Sequence, residues 1–190
     1  MRLFFALSLM GLLLFSCRQE GNNPQPDEEG TMTVSIDGTE FTIDDFNNSL
    51  TEEAQLGEVG RRLDLRAQVN GGTLILSVSN WDWQNPPEDG ILIKNYTVNE
   101  FDPDASTSEC KDFPNYSLCD GGLGTYLAGG GESYLSEGFE PSGPAEIVIT
   151  ENDPDERTVS GTFEFETAGF INGEVIRFKG TFTDLKYRVF

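Results

Sequence analysis

The segment LDLRAQVNGGTLILSV, residues 63–78, decides the fold class that this sequence predicts. Apolar residues occupy alternate positions before and after Asn70-Gly71, and a period of two places alternate side chains on one face of a β-strand. Asn-Gly is the pair that two-residue hairpin turns favour, because both residues accept a positive φ. We therefore predict an antiparallel β-hairpin across residues 63–78.

The same alternation recurs toward both ends of the chain. Residues 32–36 alternate and are followed by Asp37-Gly38, a second hairpin signal. Residues 159–182 alternate around a turn at Asn172-Gly173. The pattern predicts a single all-β domain, residues 31–190, folded as an antiparallel β-sandwich or a partly closed barrel of roughly nine short strands.

The sequence pattern predicts the structure of three stretches between these hairpins less clearly. Residues 44–62 are the least regular part of the domain, and we expect at most a short helical turn there. Residues 91–98 predict a further strand. Residues 99–144 are rich in loop-forming residues, with Gly121-Gly122 as one of the flexible points.

The apolar positions change parity near the C-terminus. Phe182 occupies an even position, whereas Leu185, Tyr187 and Val189 occupy odd positions. A slip of one residue turns every later side chain to the other face of a strand. We therefore expect a β-bulge or a tight turn at Thr183-Asp184, followed by a last strand that buries its three apolar side chains.

The first sixteen residues are typical of an export signal. Leu3–Phe15 is an almost unbroken apolar run of 13 residues, which suits a signal peptide and is too short to cross a bilayer. It ends in LFSC at residues 14–17, a pattern that looks like a lipobox. We predict a signal peptide at residues 1–16, with palmitate or similar acyl chains on Cys17 as the membrane anchor.

The anchor is followed by a polar stretch. Residues 17–30 are predicted to be the lipidated Cys17 and a flexible tether, because Arg18 to Gly30 contains no hydrophobic side chain that could offset its ordering entropy. The expected location is the cell envelope, at the outer membrane, facing either the periplasm or the cell surface.

Charge and composition exclude several functions. Removal of residues 1–16 leaves 11 basic and 33 acidic residues, a net charge of −22, which repels nucleic acid and anionic lipid. The sequence has no histidine, so it has neither Ser–His nor Cys–His catalysis and no histidine-ligated zinc. We predict no cofactor and nominate no catalytic residue.

Cys110 and Cys119 are the remaining cysteines once Cys17 is acylated. Export places them in an oxidising compartment, where a short loop between two cysteines predicts a structural disulfide. Their spacing differs from the Cys-x-x-Cys pattern of redox-active pairs.

Two further groups are candidate binding sites. Trp81 and Trp83 lie two residues apart, so in an extended chain the two indoles would share one side about 7 Å apart and form a shelf for sugar rings. Alternatively, the segment folds back at Asn85-Pro86-Pro87, and the indoles cap the core. Asp102, Asp104 and Glu109 are less favoured calcium ligands, because they lack the spacing and central glycine of an EF-hand.

The turn Asp153-Pro154-Asp155-Glu156 could also offer oxygen ligands to calcium, but we interpret it as a solvated turn.

The favoured function is a non-enzymatic binding or structural module of the cell envelope, with a glycan or an envelope protein as partner. The alternatives are a glycan-binding module using Trp81 and Trp83, and an acid–base glycoside hydrolase, whose chemistry needs only two suitably spaced carboxylates.

The C-terminal block suggests a family. Val159-Ser160-Gly161-Thr162-Phe163, followed by Gly180-Thr181-Phe182-Thr183-Asp184-Leu185-Lys186-Tyr187, resembles the closing hairpin of small Bacteroidota lipoproteins grouped as a domain of unknown function, 6252-like. The opening MTVSIDGTEF, residues 32–41, also fits that group. The resemblance implies export and an all-β fold, and it implies no activity.

Overall fold

The computed structural model describes residues 30–55, 58–81, 90–98, 121–136 and 142–190, with backbone alone at residues 52–55 and 58–59 and at Trp81. No helix occurs in these ranges, and the predicted all-β class is confirmed. The strands are β1 (Thr31–Ile36), β2 (Thr39–Ile43), β3 (Ser49–Gln55), β4 (Glu58–Val69), β5 (Gly72–Trp81), β6 (Asn95–Thr97), β7 (Gly121–Leu127), β8 (Ser133–Leu135), β9 (Glu146–Asp153), β10 (Thr158–Gly169), β11 (Val175–Lys186) and β12 (Arg188–Val189).

All of these strands belong to one sheet that curls into a half-barrel. The strand order is β12-β3-β4-β5-β7-β8-β10-β11-β1-β2, with β9 on β10 and β6 on β9. The concave face holds a single core. Its largest fully buried side chains are Met32, Leu50, Leu63, Leu65, Leu74, Leu76, Tyr96, Phe163, Phe165, Phe178 and Phe182.

The hairpin predicted at residues 63–78 is confirmed. Strands β4 and β5 pair from Gly60–Trp81 to Val69–Gly72, and Asn70 and Gly71 both have a positive φ, of 50° and 74°. Asp37 and Gly38, with φ of 48° and 85°, close the β1–β2 hairpin in the same way. Both turns have the φ signs that a type I′ hairpin requires.

Two expectations about the middle of the chain are wrong, and one is confirmed only in part. Residues 44–62 contain β3 and the start of β4 rather than a helical turn, because β3 pairs along its whole length with β4. Residues 91–98 contain only the three-residue strand β6. The expected loop region 99–144 contains β7 and β8, and β7 is a central strand between β5 and β8.

Glycine in β7 misled the sequence-based prediction, because Gly usually signals a loop. Gly124 lies under the ring of Phe165 from β10, and a Cβ at this position would overlap that ring. Glycine inside a strand marks such a close approach. Gly124 therefore weakens the sequence signal for a strand, and its missing Cβ leaves the space that the Phe165 ring fills in the core.

The longest hairpin, β10–β11, contains two further glycines that each face a phenylalanine ring. Gly161 is the cross-strand partner of Phe182, and Phe163 is the partner of Gly180. A Cβ on Gly161 would overlap the Phe182 ring, and a Cβ on Gly180 would overlap the Phe163 ring and the backbone oxygen of Thr33. Each phenylalanine ring thus covers the glycine opposite to it, which is how sheets accommodate strong curvature.

The predicted bulge is present at Thr183-Asp184. Val159 pairs with Leu185 and Gly161 pairs with Phe182, so the single residue Ser160 faces two residues of β11. Asp184 has a φ of 52°, and its N–H donates to Ser160 Oγ at 3.0 Å.

The last predicted strand is only partly confirmed. Leu185 and Tyr187 are buried as expected, but Val189 is 47% exposed. The reason is that the chain leaves β11 after Lys186 and forms β12, which pairs in parallel with Ser49 and Leu50 at the edge of β3.

Asn48 joins the two sides of the half-barrel where β12 meets β3. Its side chain is buried, its Nδ2 donates to Lys186 O at 3.0 Å, and its Oδ1 accepts the N–H of Arg66 at 3.1 Å. Its backbone oxygen accepts the N–H of Arg188. One side chain therefore bonds the end of β11 to β4, across the opening of the curled sheet.

Three hairpin turns lie together at what we call the distal end of the sheet. They are Asn70-Gly71, residues 129–131 and residues 170–173. Gly129 lies against Gly71 O, and the N–H of Phe170 donates to Ser133 O. Gly30, where the described chain begins, lies against Asp184 at the other end of β11, which we call the proximal end.

We predict that Gly180→Ala destabilises the domain by about 1–3 kcal/mol, because the added methyl group overpacks a filled site. The matched control is Gly130→Ala, since nothing lies within 4 Å of the Cβ position there and its φ is not positive. Urea denaturation of the three proteins measures both effects. Equal stability of the two variants would contradict the glycine–phenylalanine packing.

Candidate functional site

Most of the residues singled out in the sequence lie outside the described ranges. These are Cys17, Trp83, Asp102, Asp104, Glu109, Cys110 and Cys119. Trp81 is the last residue of β5, opposite Gly60 on β4, and its backbone alone is described. The candidate lipid anchor, disulfide, calcium ligands and indole shelf therefore remain predictions.

The face of β5 opposite to that of Trp81 agrees with the predicted alternation. Leu74, Leu76, Val78 and Asn80 are all buried against the core. The Oδ1 atom of Asn80 accepts the N–H of Leu92 at 2.9 Å and lies 2.6 Å from the Tyr96 hydroxyl. This buried amide fixes the segment around β6 beneath the end of β5.

The acidic turn at residues 153–156 has a structural role. Asp153 Oδ1 accepts the N–H groups of Asp155 at 2.9 Å and Glu156 at 3.0 Å, so this carboxylate caps the β9–β10 turn. Within the described ranges, no three acidic or thiol side chains come together in the manner of a metal site.

Asp64 lies on the convex face in a cluster with Arg62, Arg66 and Ser77. Its Oδ1 accepts Arg62 Nε at 2.9 Å and Ser77 Oγ at 2.6 Å, and its Oδ2 accepts Arg66 Nη2 at 3.3 Å. Burial raises the pKa of the Asp64 carboxyl, but the Ser77 hydrogen bond and the two arginines outweigh burial and hold the pKa below its usual range. Asp64 is therefore held as an anion.

Glu166 is a second buried carboxylate, only 4% exposed, on β10. It accepts the backbone N–H of Ser142 at 2.8 Å and forms an ion pair with Arg177, its cross-strand partner on β11. The Ser142 N–H and the Arg177 hydrogen bond hold the pKa of Glu166 below its usual value. This carboxylate fastens the segment around Ser142 to the outside of the sheet.

A shallow groove of about 530 Å³ lies beside Glu166. It is lined by Ser35, Asp37, Gly38, Glu166, Val175, Arg177 and Lys179. Its charged groups are already engaged. Arg177 pairs with Glu166, Lys179 Nζ pairs with Glu164 at 2.9 Å, and Asp37 Oδ1 accepts the N–H of Arg177. Both cations that line the groove are therefore already paired with carboxylates.

The most exposed pair of adjacent large apolar side chains in the described part of the chain lies at the distal tip, residues 170–173 of the β10–β11 turn. Phe170 and Ile171 are 83% and 79% exposed, and Leu127 at the same end is also exposed. Large apolar side chains next to one another on a protruding turn are typical of contact surfaces rather than of inert ones. A sequence signal for the tip was available, since two apolar residues stand directly before the turn-forming pair Asn172-Gly173.

The backbone of the distal tip is held by hydrogen bonds within the protein. The N–H of Ile171 donates to Glu132 Oε1 at 2.8 Å, and that of Gly173 donates to Gly169 O at 2.9 Å. The N–H of Gly169 donates to Glu174 O, and that of Phe170 donates to Ser133 O. The N–H of Asn172 donates to Glu132 Oε1, and that of Glu174 donates to Asn172 Oδ1. Six consecutive N–H groups therefore have partners, and Phe170 and Ile171 are exposed on a backbone whose N–H groups are bonded within the protein.

Comparison with known proteins found no matching family model, no matching curated protein and no matching solved structure. Among the described residues, none forms a helix that could cross a bilayer. The resemblance to the Bacteroidota lipoproteins therefore stays a prediction.

We predict that Glu166→Gln makes stability less dependent on pH in the acid range. The pKa of Glu166 in the fold lies below its usual value of 4.5, so its ion pair stabilises the protein above that pH and is lost as the pH falls through the lowered pKa. At pH 7 the variant should be less stable by about 1–3 kcal/mol. Below about pH 4 the difference should shrink.

Denaturant titrations between pH 7 and pH 3 measure this effect. The control is Glu164→Gln, which removes the more exposed pair with Lys179 and should cost less than about 1 kcal/mol at pH 7. A constant stability difference between Glu166→Gln and wild type over that pH range would show that Glu166 is not the coupled group.

Proposed function

We propose that this protein is an exported, lipid-anchored module of the cell envelope that acts by binding and not by catalysis. Its anchor is Cys17, its tether is residues 17–30, and its binding surface is the distal tip. The observation that carries the proposal is the exposure of Phe170 and Ile171 on a tip whose backbone N–H groups are all bonded within the protein.

The lowered pKa values of two buried carboxylates support a non-catalytic role. A glycoside hydrolase needs one carboxyl whose pKa is raised, so that it keeps a proton near neutral pH. Asp64 and Glu166 have lowered pKa values and are held by arginines. They therefore serve as structural anions, and neither suits the general-acid role.

The position of Gly30 supports a binding surface directed away from the anchor. Gly30 lies at the proximal end, against Asp184, whereas the distal tip lies at the other end of β11. The strand from Val175 to Thr183 covers eight residue steps, or about 27 Å. A tether that enters at Gly30 would attach the anchor at the proximal end and leave the distal tip free of it.

We predict that Cys17→Ser abolishes membrane association, because acylation of this cysteine is the proposed anchor. Triton X-114 phase partitioning of whole-cell protein should place wild type in the detergent phase and the variant in the aqueous phase. Cys110→Ser is the matched control and should partition like wild type. If wild type and Cys17→Ser partition alike, the anchor assignment is wrong.

A glycan-binding module is the alternative proposal. It is supported by β5, which stays extended as far as Trp81, the geometry that an indole shelf formed with Trp83 requires. A shelf predicts that Trp81→Ala and Trp83→Ala lose saccharide binding on a glycan array while melting close to wild type. If the indoles are core residues instead, each variant should lose about 3–5 kcal/mol. Absence of any glycan bound by wild type would remove this alternative.

A further inference from the structure

We propose that the distal tip inserts into an apolar pocket with a basic rim on a second protein of the envelope. This inference rests on the proposed function and deepens it by naming the chemistry of the partner. The distal tip supplies Phe170 and Ile171 as adjacent anchors, and aromatic anchors seated in pockets dominate the energetics of protein interfaces.

The fixed backbone of the distal tip lowers the cost of binding. A loop that becomes ordered only on contact loses conformational entropy at that moment. Here Glu132 and Ser133, both outside the turn, accept the N–H groups of Ile171 and Phe170 in the free protein. In addition, no N–H group between Gly169 and Glu174 would lose a water partner when the tip enters a pocket.

Two acidic side chains beside the apolar pair indicate that the rim of the partner's pocket is basic. Glu132 lies directly behind the apolar pair, with Oε1 2.8 Å from the Ile171 N–H. Glu174 follows the turn, with Oε2 3.4 Å from Asn172 Nδ2 and 3.4 Å from the Tyr134 hydroxyl. Arginine or lysine around the partner's pocket would complement these carboxylates.

The same carboxylates argue against a lipid surface as the occupant. An apolar tip that entered hydrocarbon would bring Glu132 and Glu174 into the headgroup layer, where anionic lipids repel carboxylates. The net charge of −22 that remains after removal of residues 1–16 also repels anionic headgroups.

The same carboxylates argue against a second copy of this chain as the occupant, because two acidic tips of this kind would repel each other.

Site-specific photo-cross-linking in cells that carry the full-length protein tests the proposal. p-Benzoylphenylalanine replaces Phe170, and in a matched control it replaces Phe190, an aromatic residue with a similar exposure of 74% on the far side of the domain. We expect a discrete protein adduct from position 170 and none from position 190.

Two variants then test the chemistry of the contact. Ile171→Ser and Glu174→Lys should each lower the adduct yield from position 170 by about tenfold or more. Glu40→Lys makes the same charge change at an exposed acid on β2 and should leave the yield unchanged. Thermal melts within a few degrees of wild type show that the exposed substitutions preserve the fold.

The proposal is overturned by any of four results: no adduct, equal adducts from positions 170 and 190, adducts to lipid or to a second copy of this chain, or a yield unaffected by Glu174→Lys. Partitioning of Cys17→Ser reports separately on the proposed anchor. A membrane-free wild type with an intact adduct from position 170 would overturn the anchor, whereas an anchored protein without that adduct would overturn the partner.

Discussion

Two reciprocal glycine–phenylalanine contacts between β10 and β11 are the packing constraint on which the rest of this domain depends. Gly161 faces Phe182 and Gly180 faces Phe163, so each aromatic ring fills the space that a side chain on the opposite strand would need. Because neither glycine carries a Cβ, the backbones of the flanking strands approach closely, at Val148 of β9 and Thr33 of β1. The strongly curved hairpin that results carries β1 and β2 on one edge and β8 and β9 on the other.

Polar contacts then fix the curled sheet at its margins. Asn48 bonds the end of β11 to β4, and Glu166 holds the segment around Ser142 against the outside of β10. Both use buried polar atoms whose hydrogen-bonding capacity is satisfied inside the protein, as buried polar groups require. The distal tip follows the same rule, since its N–H groups are bonded internally. Hence the backbone that carries its two exposed apolar side chains is fixed at the end of the hairpin.

The sequence predicted the parts of the fold that depend on local pattern. Alternation and Asn-Gly or Asp-Gly pairs located the hairpins, and the parity change after Phe182 located the bulge at Asp184. Local pattern did not predict β7, because Gly124 indicates a loop in the sequence but makes room for the Phe165 ring in the folded core. Local pattern also did not predict β3, because pairing with β4 overrides its weak strand propensity. For the site, sequence cannot reveal that Glu166 meets Arg177 and Ser142, or that Glu132 bonds the backbone of the distal tip, because these contacts join distant parts of the chain.

The central claim is that the distal tip is a fixed apolar element on the end of the β10–β11 hairpin and not a loop that becomes ordered on binding. Amide hydrogen exchange, followed residue by residue by NMR in the free protein, tests it most directly. The account predicts that the N–H groups of Gly169, Phe170, Ile171 and Gly173 exchange slowly, within about tenfold of those in the paired strands, although Phe170 and Ile171 have exposed side chains. Exchange of these amides at the rates of an unstructured peptide would contradict it.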